Sequence, residues 1–156
     1  MTTAALLTCF IFKWPGTISA KRLLPYVSYL TEAAMGRGGV LEPIALVVED
    51  DMLQRELLVA LLKETMKIIQ CESAEAALLV LDKAGGCLAI LITDVNLAGR
   101  MDGIELAQVA KRRCPALHIV VTSGLAPTKD LPDGATFLPK PWLPTDMLRE
   151  VDRAVH

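Results

Sequence analysis

From residue 43 onward, short continuous apolar runs alternate with longer stretches whose apolar residues recur every three or four positions. Residues 44–48 (IALVV) form the first run, the signature of a strand buried on both faces. Leu53, Leu57, Leu58, Leu61 and Leu62 follow at helical spacing. Asp51 and Gln54 have the spacing of a capping box at the start of that helix. Residues 68–71 read as a second strand. Ser73 then caps a helix carrying Ala74, Ala77, Leu78 and Leu81, which Gly85 and Gly86 are expected to end. The third strand is the most hydrophobic stretch of this part, 87–95 (CLAILITDV). Asp102 and Glu105 make a second capping box, for a helix running to about Arg113 and closed by Pro115. Residues 117–124 and 135–140 are the fourth and fifth strands. Pro144, suited to a first helical turn, opens a last helix with Met147, Leu148, Val151 and Val155 on one face.

Strand and helix alternate throughout, so the expected architecture is α/β, a doubly wound parallel sheet with helices on both faces. In such sheets sites form beyond the carboxyl ends of the strands. The first strand ends in Glu49-Asp50-Asp51, the third in Asp94, the fourth in Thr122-Ser123 and the fifth in Lys140-Pro141. Each pair is unremarkable alone: Asp51 caps a helix, Ser123-Gly124 is a common turn. Together they bring acids, a hydroxyl and an amine to one edge. Two like charges about 4 Å apart repel by about 4 kcal/mol at an effective dielectric near 20, so clustered carboxylates retain protons or gather a cation. Hard oxygen donors suit Mg²⁺. A carboxylate such as Asp94 can attack phosphorus to give an aspartyl phosphate, with Lys140 neutralising the phosphoryl oxygens and Ser123 donating to them. The mixed anhydride is labile, which suits a switch.

The motifs LVVEDD, ILITDVNLAGRMDGIEL, IVVTSG and FLPKPW resemble the receiver domain of response regulators, the phospho-acceptor module of two-component signalling, over residues 43–156. The resemblance implies a flavodoxin-like five-stranded sheet of order 2-1-3-4-5 with five helices. It implies phosphoryl transfer to one Asp from a sensor histidine kinase or a histidine phosphotransfer protein, with Mg²⁺ as cofactor. Carried over by position, Asp94 is the acceptor. Glu49, Asp50, Asp94 and the Asn96 backbone carbonyl hold the metal, with Asp50 favoured over Glu49 as a direct ligand. Ser123 is the switch hydroxyl, with Thr122 as the neighbouring alternative. Phe137 is the switch aromatic, Lys140 pairs with phosphate, and the Lys140–Pro141 bond is cis.

This chain departs from the pattern in two places. Ala98 stands where a proline is usual, in an acceptor loop one residue longer than common. Residues 125–134 (LAPTKDLPDG), where the fourth helix belongs, are short and hold two prolines, which helix interiors disfavour. The fourth helix is therefore expected to be short or missing, which puts the family's usual dimer surface in doubt.

Composition narrows the partners. The 156 residues are 53% hydrophobic and 22% charged, with net charge −2, a globular balance without the basic footprint of direct nucleic-acid binding. Lys111-Arg112-Arg113 suits the negative end of a helix dipole. Cys9, Cys71, Cys87 and Cys114 lack zinc-site spacing and read as reduced, mostly buried thiols of a cytoplasmic protein.

Residues 1–42 read as an extension outside the core. MTTAALLTCFIF is too short to span a bilayer and lacks the charged start of a signal peptide. A weak helix is expected near residues 26–35, and Met35 is an alternative start. The close of the chain at His156 leads to the expectation of a stand-alone receiver acting through an unidentified downstream protein or a phosphorelay. Two other readings compete: a receiver-like interaction module independent of phosphorylation, and an aspartate-nucleophile phosphatase. The phosphatase reading is disfavoured because such enzymes carry Asp-x-Asp after the first strand. No Gly-rich phosphate loop supports nucleotide binding.

Overall fold

The structure, a computed structural model, describes residues 43–156. The expected extension, its weak helix, Met35 and Cys9 lie outside the described residues.

The elements run β1 (Ile44–Val48), α1 (Met52–Leu62), β2 (Lys67–Cys71), α2 (Ala74–Ala84), a 3₁₀ turn (Gly85–Cys87), β3 (Leu88–Asp94), α3 (Gly103–Arg113), β4 (His118–Ser123), β5 (Thr136–Pro139) and α4 (Pro144–Val155). The five strands form one parallel sheet of order β2-β1-β3-β4-β5, the doubly wound, flavodoxin-like arrangement expected. Interior strand β1 is buried at every residue, which is why it reads as an unbroken apolar run rather than an alternating one.

Among the described residues, four α-helices are present. No helix separates β4 from β5: residues 124–135 form turns and irregular chain, as the prolines and the short span predicted. Lys129 pins this connection to α3. Its ammonium donates to Asp102 Oδ2 at 2.5 Å and Glu105 Oε1 at 2.9 Å, the two carboxylates of the closed capping box that starts α3.

Some local expectations are corrected. Asp51 caps α1 by accepting from Gln54 N, but the box does not close, because the Gln54 side chain turns to Lys140 and Asp51 N donates to Glu49 Oε1. α2 ends at Ala84 with Gly85 as its C-cap, as expected; Gly85 is right-handed and leads into the 3₁₀ turn. On α1, Leu58 and Leu62 enter the core, but Leu53 and Leu57 are 67% and 68% exposed. Of the cysteines, only Cys71 is buried among the described residues; burial pushes its thiol up to about 12, which makes it a poor nucleophile.

At the opposite end of the sheet from the acids, Glu150 of α4 is only 4% exposed. It accepts from His118 Nε2 and Thr136 Oγ1, both at 2.9 Å, and from Arg153 Nη1 at 2.5 Å. Burial works to raise its carboxyl, but the bonds from His118 and Thr136 and the charge of Arg153 prevail and hold it below the ordinary 4.5. Glu150→Ala strands the opposing polar groups and is expected to cost about 2 kcal/mol at neutral pH. Because the folded-state pKa is depressed, the wild-type advantage is present above the unfolded value and fades as pH falls through the folded one. Urea unfolding of both proteins at pH 7 and pH 3 checks this: the gap narrows in acid.

Candidate functional site

β1, β3 and β4 deliver Glu49, Asp94 and Ser123 to the same edge, and the turn after β5 adds Lys140. The Lys140 ammonium is the hub. It donates to Asp94 Oδ2 at 2.5 Å, Gln54 Oε1 at 2.6 Å and Glu49 Oε2 at 3.0 Å, which uses all three of its N–H groups. Glu49 is 1% exposed and Asp94 8% exposed. Their remaining oxygens take backbone amides: Glu49 Oε1 from Asp51 N at 3.2 Å, Asp94 Oδ1 from Asn96 N at 3.1 Å. The Lys140–Pro141 bond is cis.

Two carboxylates this buried need the lysine. Burial raises the Glu49 carboxyl above its ordinary 4.5, and Lys140 offsets that only in part, with Asp94's charge adding to the rise. Burial pulls Lys140 down, but its bonds to Asp94 and Glu49 hold it above 10.5. Lys140→Met removes the counter-charge and is expected to cost about 3 kcal/mol at pH 7. Without the lysine the Glu49 pKa climbs further. The native state then binds a proton more tightly than the unfolded chain, so acid relieves the penalty and the deficit shrinks at pH 5. Urea midpoints at both pH values measure it.

Asp50 is not drawn into this cluster. It is exposed, and among the described residues no three acidic, histidine or cysteine side chains stand ready to hold a metal. The donor chemistry nevertheless fits Mg²⁺: carboxylate oxygens from Glu49, Asp50 and Asp94 are hard ligands, and Glu49 and Asp94 already share one cation. Asn96 is exposed beside Asp94. Ser123 is buried and its Oγ accepts from Leu125 N at 3.2 Å, whereas the Thr122 hydroxyl turns back to the Thr93 carbonyl. Phe137 is half-buried on edge strand β5, in register with Val121.

Sequence reasoning missed two contributors. Gln54 was assigned to a cap, yet its side chain serves Lys140. Arg55 Nη1 donates to the Glu49 carbonyl at 2.6 Å and so braces the acidic turn. A polar residue in a helix's first turns carries no sequence signal for such a tie.

Residues 45–152 match the family model described as the response regulator receiver domain. The chain belongs to that family. The receiver domain is 30% identical over 115 residues to response regulator receiver protein CpdR of Brucella abortus (strain 2308), covering 70% of this chain and 93% of that protein. Among solved structures, the receiver domain of the hybrid histidine kinase CckA is 26% identical with a TM-score of 0.63, over 72% of this chain and 99% of that one. A receiver protein from Sinorhizobium medicae WSM419, 23% identical, shares the fold with a TM-score of 0.66, over 73% and 94% of the two chains. Among the described residues of the receiver domain, no helix is long and apolar enough to cross a membrane.

Proposed function

We propose that residues 43–156 form a phosphorylation switch in which Asp94 accepts a phosphoryl group from a sensor histidine kinase or a histidine phosphotransfer protein. The observation that carries this reading is the Asp94 carboxylate, nearly buried at the sheet's carboxyl edge and aimed at a lysine ammonium. That environment suits an anion that gains further negative charge. A carboxylate oxygen of Asp94 attacks the phosphorus of a phosphohistidine; the new O–P bond forms, the P–N bond breaks, and the imidazole leaves and regains its proton. Mg²⁺, held by Glu49, Asp50, Asp94 and the Asn96 carbonyl, would supply positive charge for the phosphoryl oxygens.

Lys140 has no spare N–H, so to meet a phosphoryl group it gives up a present partner. Gln54 is the cheapest to release, being neutral and exposed. Ser123 then donates its hydroxyl proton to a phosphoryl oxygen, and movement there is passed along β4 and β5 to Phe137. Hydrolysis by water breaks the O–P bond, releases inorganic phosphate and restores Asp94.

A donor protein must approach over this edge. Beside Lys140 lies a groove of about 710 Å³ between α1 and the turn before α4, lined by Gln54, Leu57, Leu61, Pro141, Trp142 and Pro144. Leu57 on its wall is exposed, as are Leu53 and Leu143, sequence neighbours of lining residues, an apolar surface suited to covering by a partner. With residues 124–135 lacking a helix, the partner that reads the switch meets an irregular β4–β5 connection.

The test is intact mass after incubation with a small-molecule phosphodonor, with and without Mg²⁺. One added phosphoryl group, dependent on Mg²⁺ and mapped to Asp94, supports the switch. Mg²⁺ binding without uptake points to a receiver that needs its own histidine donor. Neither binding nor uptake overturns the reading in favour of a phosphorylation-independent interaction module.

A further inference from the structure

The acceptor loop has little of its own to hold it. Residues 95–102 (VNLAGRMD) contain no proline, and Gly99 adds backbone freedom that folding must remove. Residues 98–100 are exposed. Inside the loop, Asn96 N reaches Asp94 Oδ1, Leu97 N reaches the Val95 carbonyl, and Gly103 N returns to that same carbonyl at 2.9 Å. The outer turn is tied elsewhere. Glu75, in the first turn of α2, accepts from Arg100 N through Oε1 at 2.9 Å, across 25 positions of sequence. Among the hydrogen bonds of the described residues, this one joins the Gly99–Arg100 turn to another element.

The fit around that carboxylate is close. Gly99 has φ +125°, and a Cβ on it would stand 2.6 Å from Glu75 Oε2. Glycine is therefore required for the backbone conformation, and a Cβ there would also push the exposed Glu75 carboxylate aside. The bond from the Arg100 amide, helped by the amide of Glu75 itself, holds the Glu75 carboxyl below its ordinary 4.5, so it is an anion, the stronger acceptor for an N–H.

We propose that Glu75 is a positioning residue of the acceptor loop: from α2 it fixes the Gly99–Arg100 turn, and with it the Asn96 backbone between that turn and Asp94. The role rests on the switch reading above. It supplies from outside the rigidity that a proline in the loop would supply from within. Glu75 touches neither the acceptor nor the reacting phosphorus; it acts through the backbone that presents them.

The experiment is calorimetric titration of the full chain with Mg²⁺ alone, for wild type, Glu75→Ala and Glu75→Gln, with metal-free melting curves and amide exchange at Arg100. Outer partners of metal ligands typically cost about 10- to 100-fold in metal affinity when removed. Glu75→Ala is expected to weaken Mg²⁺ binding about tenfold and to speed exchange of the Arg100 amide. Glu75→Gln keeps an oxygen acceptor for Arg100 and is expected to stay within about twofold of wild type. Both variants lose the same favourable charge at the α2 N-terminus, so a merely structural role would affect them alike. Wild-type-like Mg²⁺ binding by Glu75→Ala overturns the proposal, as does a Glu75→Gln as weak as Glu75→Ala. A wild type that binds no Mg²⁺ fails at a different point: it removes the switch reading itself, and the positioning role with it.

Discussion

Asp94→Asn is expected to abolish phosphoryl uptake completely while leaving the fold as stable as wild type or slightly more so. The amide has no anionic oxygen to attack phosphorus, so the loss is one of chemistry rather than of affinity. The stability half follows from the Lys140 hub. Glu49 and Asp94 are both buried and both bonded to one ammonium, and the Asp94 charge helps to raise the Glu49 carboxyl. Removing one of two like charges relieves that repulsion, and Lys140 keeps Glu49 and Gln54 as partners. The net change is expected within about 1 kcal/mol, because lost attraction to Lys140 and lost repulsion from Glu49 oppose each other. Intact mass after phosphodonor treatment reads the first part and urea unfolding the second. A variant that still takes up phosphate moves the acceptor to another carboxylate, with Glu49 and Asp50 the neighbours to test.

That contrast between chemistry and stability explains what could be read in advance. The strands were legible because a parallel strand covered on both faces must be apolar along its whole length, so β1 and β3 stand out and stop at their acids. The cluster of Glu49, Asp94, Ser123 and Lys140 was legible because the carboxyl ends of neighbouring parallel strands necessarily meet at one edge. The strand order came from the family motifs, since alternation alone does not specify which strands are neighbours. The missing helix between β4 and β5 was announced by Pro127 and Pro132.

What escaped reading depends on how side chains turn once the backbone is placed. Leu53 and Leu57 share the spacing of Leu58 and Leu62, yet they lie on the far side of a stripe wider than the core contact and emerge into solvent. Gln54 sits at a capping position but answers a lysine 86 residues away. Asp50, between two acids that are held, is itself left exposed. Glu75 gave the signal of an acidic first-turn residue and nothing more. The Gln54 and Glu75 bonds are long-range contacts with no local periodicity to betray them.

Gly103→Ala is expected to be the most damaging single-methyl change in the domain, at about 3 kcal/mol or more. A Cβ there would fall 1.8 Å from the Asp94 carbonyl oxygen, 2.7 Å from its carbon and 2.9 Å from Thr93 Oγ1. Two of those atoms are backbone of β3, which is paired on both sides by β1 and β4, so the strand cannot give way cheaply. The alternative is for α3 to move out, which breaks the Gly103 N bond to the Val95 carbonyl and strains the Asp102–Glu105 box with its Lys129 clasp. Either movement displaces the acceptor, and a misplacement of about 1 Å in a reacting group can cost on the order of 100-fold in rate. Phosphoryl uptake by the folded fraction should therefore fall as well. Gly86→Ala is the matched control: nothing lies within 4 Å of its added carbon and its φ is not positive, so stability should be unchanged or slightly raised by the loss of unfolded-state freedom. Urea unfolding of the two variants side by side decides the point. Equal midpoints would mean that the α3 start does not press on the acceptor strand, and the close seating of the Asp94 backbone against Gly103 would have to be abandoned.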